Sequence, residues 1–151
     1  SLIRKWVNEQ KTSAEVLEKL LTPTKIYHEI PTLVDKLGTD KIHAVANITG
    51  GGISGNLPRV MPKNAECQIN LHDVPIQNWA KEFIETNGAK LIDVETTFNL
   101  GCGMIISISK NAEKHFEHEC ESLGLGFKKV GKVILNKNTK PQDPKVTFIN
   151  K

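Results

Sequence analysis

The sequence is poor in cysteine, aromatic residues and long apolar runs. It has three cysteines in 151 residues, Cys67, Cys102 and Cys120, which are too few and too scattered for a disulfide framework. An odd number of cysteines fits a reducing cytoplasm better than a secreted protein. No apolar stretch approaches the roughly 18 residues that a membrane span needs, and no basic-then-apolar signal segment opens the chain. These absences favour a soluble cytoplasmic protein.

Length and charge set further limits. A chain of 151 residues fits one domain with an ordinary core. The first residue is Ser1 rather than methionine, so we expect the chain to be cut or processed from a longer protein. The net charge of +3 does not demand nucleic acid, but seven lysines and only one acidic residue, Asp143, lie in the last 24 positions. This bias is typical of a solvated edge strand and tail. The alternative is a weak field that draws an anionic ligand.

Hydrophobic periodicity predicts helices interleaved with strands. The fold class is therefore α/β of the α+β type, with a mixed β-sheet packed against helices. We detect no internal repeat and no low-complexity stretch. Helices are predicted over residues 13–21, 23–38, 75–88 and 111–124, with a short helix over 55–61. Strands are predicted over residues 41–48, 66–71, 103–109, 127–136 and 145–150, with a turn-rich loop over 136–145.

Several helix boundaries carry specific signals. Thr12 and Glu15 have the spacing of a capping box before the first predicted helix. Pro31 interrupts the second helical pattern and should kink that helix or begin another. Asn111 is expected to cap the last helix, and Gly124 to end it.

Three consecutive glycines follow the first predicted strand, in the stretch ITGGGISGNLPRVMP at residues 48–62. Glycine permits positive φ and lets a ligand approach the backbone closely. Successive N–H groups there would form a nest for an anion, and Thr49 and Arg59 could add a hydroxyl and a guanidinium. A tight strand-to-helix turn with nothing bound explains the glycines equally well, because the spacing is that of neither a Walker loop nor a dinucleotide fingerprint.

A second glycine-rich stretch, TTFNLGCGM at residues 96–104, precedes an apolar strand. Gly101 and Gly103 would leave room for close backbone contact, or mark a β-bulge. Cys102 between them is expected to be a small buried hydrophobe rather than a nucleophile, since no partner histidine is identifiable.

Two other sets of residues have mainly structural interpretations. His115, His118 and Glu119 have the spacing of one helix face, and we expect an exposed face rather than a metal site. Trp6 and Trp79 lie in helical patterns and should be packing residues.

Five stretches together resemble one enzyme family. They are SLIRK at residues 1–5, LTPTKIY at 21–27, ITGGG at 48–52, NLPRVMP at 56–62 and TFNLGCGMII at 97–106. Their order and spacing resemble the C-terminal half of aminoimidazole ribonucleotide synthetase, also called phosphoribosylformylglycinamidine cyclo-ligase. The resemblance covers nearly the whole chain and is weakest after Lys110. The glycine triplet alone would not separate this family from relatives that make selenophosphate or thiamine diphosphate.

The resemblance implies an ATP-dependent ring closure in purine biosynthesis. ATP activates the formyl amide oxygen of formylglycinamidine ribonucleotide, and the amidine nitrogen closes the imidazole ring. It also implies an absent N-terminal domain that carries most of the ATP and Mg²⁺ site and the homodimer contact, and an isolated domain without activity. No metal, nucleic acid or membrane is expected to bind here. The implied ATP- or phosphate-binding residues are Asn47, Thr49, Gly50, Gly51 and Gly52, and the implied substrate-cleft residues are Asn56, Arg59, Thr97 and Asn99.

The sequence departs from the family's usual motifs at three polar positions. Asn47 replaces a histidine that the resemblance implicates in nucleotide binding, Gly55 replaces a glutamate, and Thr96 replaces an arginine. Asparagine can form hydrogen bonds but cannot carry positive charge. Two alternatives therefore stand beside the cyclo-ligase. One is a non-catalytic module that binds a phosphorylated metabolite, and the other is an ATP-dependent enzyme of the same superfamily with another substrate.

Overall fold

A computed structural model describes residues 2–10, 13–136 and 140–149, and within these ranges it contains seven α-helices and five β-strands. The predicted combination of helices and strands is confirmed. Three short 3₁₀ turns lie at Leu57–Val60, Leu71–Asp73 and Lys110–Ala112. The helices are α1 Leu2–Gln10, α2 Ala14–Leu20, α3 Glu29–Leu37, α4 Gly52–Asn56, α5 Asn78–Thr86, α6 Leu91–Glu95 and α7 Glu113–Ser122. The strands are β1 Ile42–Asn47, β2 Ala65–Asn70, β3 Met104–Ile108, β4 Gly131–Leu135 and β5 Lys145–Ile149.

The strands form two sheets where the sequence predicts one. β1 and β3 make an antiparallel pair, in which Asn47 lies opposite Met104. The other sheet has the order β4-β2-β5, and β2 is antiparallel to β4 but parallel to β5. The predicted mixed sheet is therefore present, but it contains only these three strands.

The core joins helices to both sheets. Alternate residues of β2, Ala65, Cys67 and Ile69, are buried, as expected for a strand with one face on the core. Trp6 of α1 is 3% exposed and meets Phe83 of α5 edge-to-face, with ring centroids 5.3 Å apart. Trp79 is partly buried against the same core, so the packing role predicted for both tryptophans is confirmed.

A smaller cluster fastens α3 to α7. Leu33 and Leu37 of α3 pack with Cys120 of α7, and Phe116 and Leu123 lie against them. Phe116, Cys120 and Leu123 thus share the side that packs against α3.

Of three helix-boundary signals, the one at Thr12 is untested, the one at Pro31 is confirmed and the one at Asn111 is wrong. Ser13 caps α2, since its side chain accepts a hydrogen bond from Val16 N at 3.3 Å, whereas Thr12 lies outside the described residues. α3 begins at Glu29, so Pro31 lies in the first turn. Backbone N–H groups in a first turn make no intrahelical hydrogen bond, so proline is tolerated there. The Asn111 cap is wrong because Asn111 lies within a 3₁₀ turn, and α7 follows it directly with no side-chain cap at Ala112.

Three of the five described lysines in the C-terminal part have local carboxylate partners. Among the described lysines there, Lys128 lies 3.9 Å from Asp73, Lys129 2.7 Å from Glu113 and Lys145 3.5 Å from Glu66. This pairing favours the solvated-edge interpretation over an anion-attracting field. Lys137 and Lys151 of the same stretch lie outside the described residues. In the ranges that the structure describes, no helix combines the length and apolar character needed to cross a bilayer.

Candidate functional site

The glycine loop, residues 49–52, connects the end of β1 to α4. Gly51 and Gly52 have φ values of +96° and +61°, a conformation that strongly favours glycine. A Cβ at Gly52 would overlap the main-chain carbonyl of Glu95. Gly50 differs, because no heavy atom lies within 4 Å of where its Cβ would stand. The fold itself therefore requires Gly51 and Gly52, whereas the space beside Gly50 is open to a ligand.

Asn56 holds the glycine loop from within the domain. This side chain is 5% exposed, and its Nδ2 donates to the carbonyl oxygen of Gly52 at 2.7 Å and to that of Gly50 at 3.3 Å. Its Oδ1 accepts a hydrogen bond from Thr49 Oγ1 at 3.3 Å. The predicted placement of Asn56 in a substrate cleft stays a prediction. The contacts found here hold the backbone in place.

Glu95 is a buried carboxylate that the sequence analysis did not identify. It is fully buried, at 0% exposure, and lies at the end of α6. Ser54 of α4 donates twice to it, from its backbone N to Oε1 at 2.7 Å and from its hydroxyl to Oε2 at 2.6 Å. The only sequence signal is an acidic residue next to the apolar Val94, and the same pattern occurs on solvated helices.

The second glycine-rich stretch lies beside the first. Asn99 Nδ2 donates to the carbonyl oxygen of Ile48 at 3.4 Å, and Ile48 N donates to that of Gly103 at 2.9 Å. Asn99 Oδ1 also accepts from Gly101 N at 3.1 Å. The fold thus brings Asn99, a predicted substrate-cleft residue, to Ile48, directly before the glycine loop.

The glycines of the second stretch make room for the protein's own atoms. A Cβ at Gly103 would overlap the hydroxyl of Tyr27, and one at Gly101 would lie 2.5 Å from the carbonyl oxygen of Pro75. The predicted close approach is confirmed, and Tyr27 and Pro75 supply the approaching atoms. The alternative of a β-bulge here is not supported, because the register irregularity of this strand pair lies in β1, between Ile42 and Ala44.

The remaining predicted site residues are exposed. Asn47 ends β1, Thr97 follows α6, and Arg59 lies in the 3₁₀ turn after α4. That turn packs against β1. Thr49 is also exposed, although its hydroxyl is engaged by Asn56. Amide, hydroxyl and guanidinium groups of this kind suit the oxygen atoms of a phosphate.

The histidines of α7 lie in an ion-paired surface. Glu119 is held by Lys36 at 2.5 Å, and this contact lowers the pKa of the Glu119 carboxyl. His115 Nε2 lies 3.6 Å from the same carboxylate. Within residues 2–10, 13–136 and 140–149, no group of three or more histidine, cysteine or acidic side chains is arranged to hold a metal ion.

Cys102 is buried, as predicted, and we expect it to resist alkylation at neutral pH. Burial raises the pKa of its thiol to about 11, against an ordinary 9.0, and only the thiolate reacts. Because the folded pKa is the higher one, the thiol's contribution to stability is complete below pH 9.0 and is lost as the pH rises through about 11. The extent of Cys102 alkylation is measured by peptide mass spectrometry after iodoacetamide treatment at neutral and alkaline pH. Equal labelling of folded and denatured chains at neutral pH would contradict it.

The structure is that of a mixed α/β domain in which a glycine loop connects a strand to a short helix. Residues 1–143 match the family described as AIR synthase related protein, C-terminal domain, and the chain belongs to this family.

Curated relatives agree with the family assignment. The chain is 33% identical over 141 residues to the Bifunctional purine biosynthetic protein purD of Dictyostelium discoideum, covering 93% of this chain and 17% of that protein. It is 34% identical over 119 residues to the Phosphoribosylformylglycinamidine cyclo-ligase of Pseudothermotoga lettingae, covering 78% and 34%. It is 37% identical over 94 residues to the enzyme of the same name from Alkaliphilus oremlandii, covering 62% and 27%. The chain thus spans about a third or less of each of these relatives.

Proposed function

We propose that this chain is the C-terminal domain of an ATP-dependent cyclo-ligase of purine biosynthesis. The whole enzyme would convert formylglycinamidine ribonucleotide to aminoimidazole ribonucleotide, ADP and phosphate. The observation that carries the proposal is the family match over residues 1–143, supported by two relatives that bear the cyclo-ligase name. In this proposal the isolated domain is inactive, and the whole protein works as a cytoplasmic homodimer.

The glycine loop fits a phosphorylated ligand at one particular point. Gly50 lacks a Cβ and has open space beside it, so a phosphate can approach the backbone there. Asn47 and Arg59 are exposed and add an amide and a positive charge. Neutralising phosphate charge and holding two reactive ends together are the main demands of this ring closure.

ATP, when bound, supplies the phosphoryl group that turns the amide oxygen into a leaving group. This chain's part is to bind and orient phosphate at the glycine loop and to exclude water from the reacting carbon. The described residues contain no cluster of acidic ligands that fits Mg²⁺. We therefore assign the magnesium ion to the N-terminal domain of the whole enzyme.

The test is ATP turnover that depends on formylglycinamidine ribonucleotide, measured with the longer protein that contains this chain. We expect robust turnover, and we expect Gly50→Ala to lower kcat/KM for ATP by on the order of tenfold, because a methyl group there displaces the phosphate. Gly126→Ala is the matched control, since Gly126 also has open space around it but lies far along the chain from the loop. It should leave kcat/KM unchanged.

The contrary outcomes separate the alternatives. A folded two-domain protein that consumes ATP only with another substrate would replace this proposal with a different enzyme of the superfamily. Saturable binding of a phosphorylated metabolite without turnover would indicate a binding module. An unchanged kcat/KM in Gly50→Ala would remove the role given to Gly50.

A further inference from the structure

The carboxylate of Glu95 is fully buried, and all of its described hydrogen bonds are with one residue, Ser54. Ser54 N and Ser54 Oγ lie 2.7 Å and 2.6 Å from its two oxygen atoms. Burying a carboxylate is costly unless it is hydrogen-bonded, so this arrangement requires a compensating role or a compensating stabilisation. Ser54 lies in α4, directly after the glycine loop.

Glu95 also touches α4 through its backbone. Its carbonyl oxygen occupies the place where a Cβ of Gly52 would stand. The two contacts lie on either side of Ile53, which is itself fully buried. Glu95 therefore fixes both the position and the rotation of the first turn of α4.

The glycine loop is consequently held from two directions. Glu95 holds Gly52 and Ser54 on the side of α6, and Asn56 holds the carbonyl oxygens of Gly50 and Gly52. Gly50 is the loop glycine with open space beside it, and Asn56 Nδ2 donates to its carbonyl oxygen. Because Asn56 and Gly52 both belong to α4, we expect a movement of α4 relative to α6 to displace Gly50.

We propose that Glu95 is a positioning residue, which sets the conformation of the glycine loop and thereby the affinity of the site for the phosphate groups of ATP. Glu95 is buried and does not touch the ligand, so it acts through Ser54 and Gly52. The inference rests on the proposed function for its ligand. It adds Glu95 of α6, a residue outside the predicted binding set, to the site.

The test compares Glu95→Gln and Ser54→Ala in the longer protein. Ser54→Ala removes the hydroxyl hydrogen bond to Oε2, whereas Glu95→Gln removes the negative charge and leaves an amide nitrogen that can only donate to Ser54 Oγ. We expect each to raise the KM for ATP by about tenfold while kcat changes little, because a small misplacement of a binding group weakens binding strongly. The double variant should resemble the single ones, since both remove the same interaction. Ser54→Ala is the milder change. If Glu95→Gln does not fold, the KM of Ser54→Ala still decides the test.

Glu119→Gln is the matched control. Its carboxylate is also largely covered and hydrogen-bonded, to Lys36 and Ser122, but it belongs to the α3–α7 contact. A smaller loss of stability is expected there, because Glu119 is partly exposed, together with an unchanged KM for ATP. A rise in KM equal to that of Glu95→Gln would mean that general destabilisation causes the effect, and it would overturn the proposal. So would an unchanged KM in both Glu95→Gln and Ser54→Ala.

A second readout separates this inference from the proposed function. Amide hydrogen exchange of residues 50–54 needs no substrate, and we expect it to be faster in Glu95→Gln than in the parent protein and unchanged in Glu119→Gln. If the parent protein lacks cyclo-ligase turnover, the proposed function fails while the exchange result still decides whether Glu95 positions the loop. Unchanged exchange would overturn the positioning role.

Discussion

Replacing Gly52 with alanine is expected to destabilise the domain by at least about 3 kcal/mol, because the new methyl group combines overpacking with a left-handed backbone. The methyl would overlap the carbonyl oxygen of Glu95, which is backbone and cannot swing aside as a flexible side chain would. The φ of +61° at residue 52 adds backbone strain for any residue with a Cβ. Relief requires α4 and α6 to separate, which would expose Ile53 and Val94.

Gly55→Ala is the internal control for that experiment. Gly55 belongs to the same helix, and a Cβ there would have no heavy atom within 4 Å. Because alanine is the better helix former, we expect this variant to be as stable as the parent or more stable by up to about 1 kcal/mol. Urea denaturation followed by circular dichroism measures both variants. Equal midpoints for Gly52→Ala and the parent would show that α4 and α6 are not in close contact.

Asn56→Ala is the second change with a large expected effect, about 2–4 kcal/mol of lost stability, since it removes a buried amide that makes several hydrogen bonds within the loop. The carbonyl oxygens of Gly50 and Gly52 lose the hydrogen bond from Asn56, and Thr49 Oγ1 loses its acceptor. The vacated volume adds a small cavity term. We also expect the glycine loop to become mobile, which would weaken phosphate binding.

Asn87→Ala provides the comparison for Asn56→Ala. Asn87 Nδ2 donates to the carbonyl oxygen of Phe83 at 2.8 Å, at the exposed end of α5. Water can replace that donor, so we expect a cost below about 1 kcal/mol. Denaturation midpoints of the two variants test the difference. Equal costs would mean that Asn56 is more accessible to water than its 5% exposure indicates.

Local patterns predicted most of the longer elements correctly. Alternating apolar residues identified β1 and β2, and period-3.6 spacing identified α3, α5 and α7. The helix α1 was not predicted as an element, and the five-residue α6 is too short for its periodicity to be recognised. The division into two sheets was also not predicted, because the sequence of a strand does not indicate which other strand it pairs with.

The contacts within the candidate site could not be predicted for the same reason. The sequence marked residues 48–62 and 96–104 as two unusual stretches, and the hydrogen bond from Asn99 to Ile48 joins them. The binding roles given to their residues stay predictions. The role of each glycine could not be predicted, because the need for Gly52 comes from Glu95 and that for Gly103 comes from Tyr27. Both partners are distant in the chain. A glycine made necessary by an intramolecular contact has the same sequence signature as one made necessary by a ligand.

The pairing of β2 with β5 bears on how the chain folds during synthesis. Glu66 pairs with Lys145, and the neighbouring strand β4 also follows β2 only after a long stretch of chain. During synthesis on the ribosome, β2 therefore emerges before both of its partner strands. Its two edges stay unpaired while helices α5 to α7 are synthesised. Contacts so distant in sequence slow folding and leave an aggregation-prone strand exposed in the meantime. Cys67 and Ile69, which are buried in the folded domain, stay accessible on β2 during that interval.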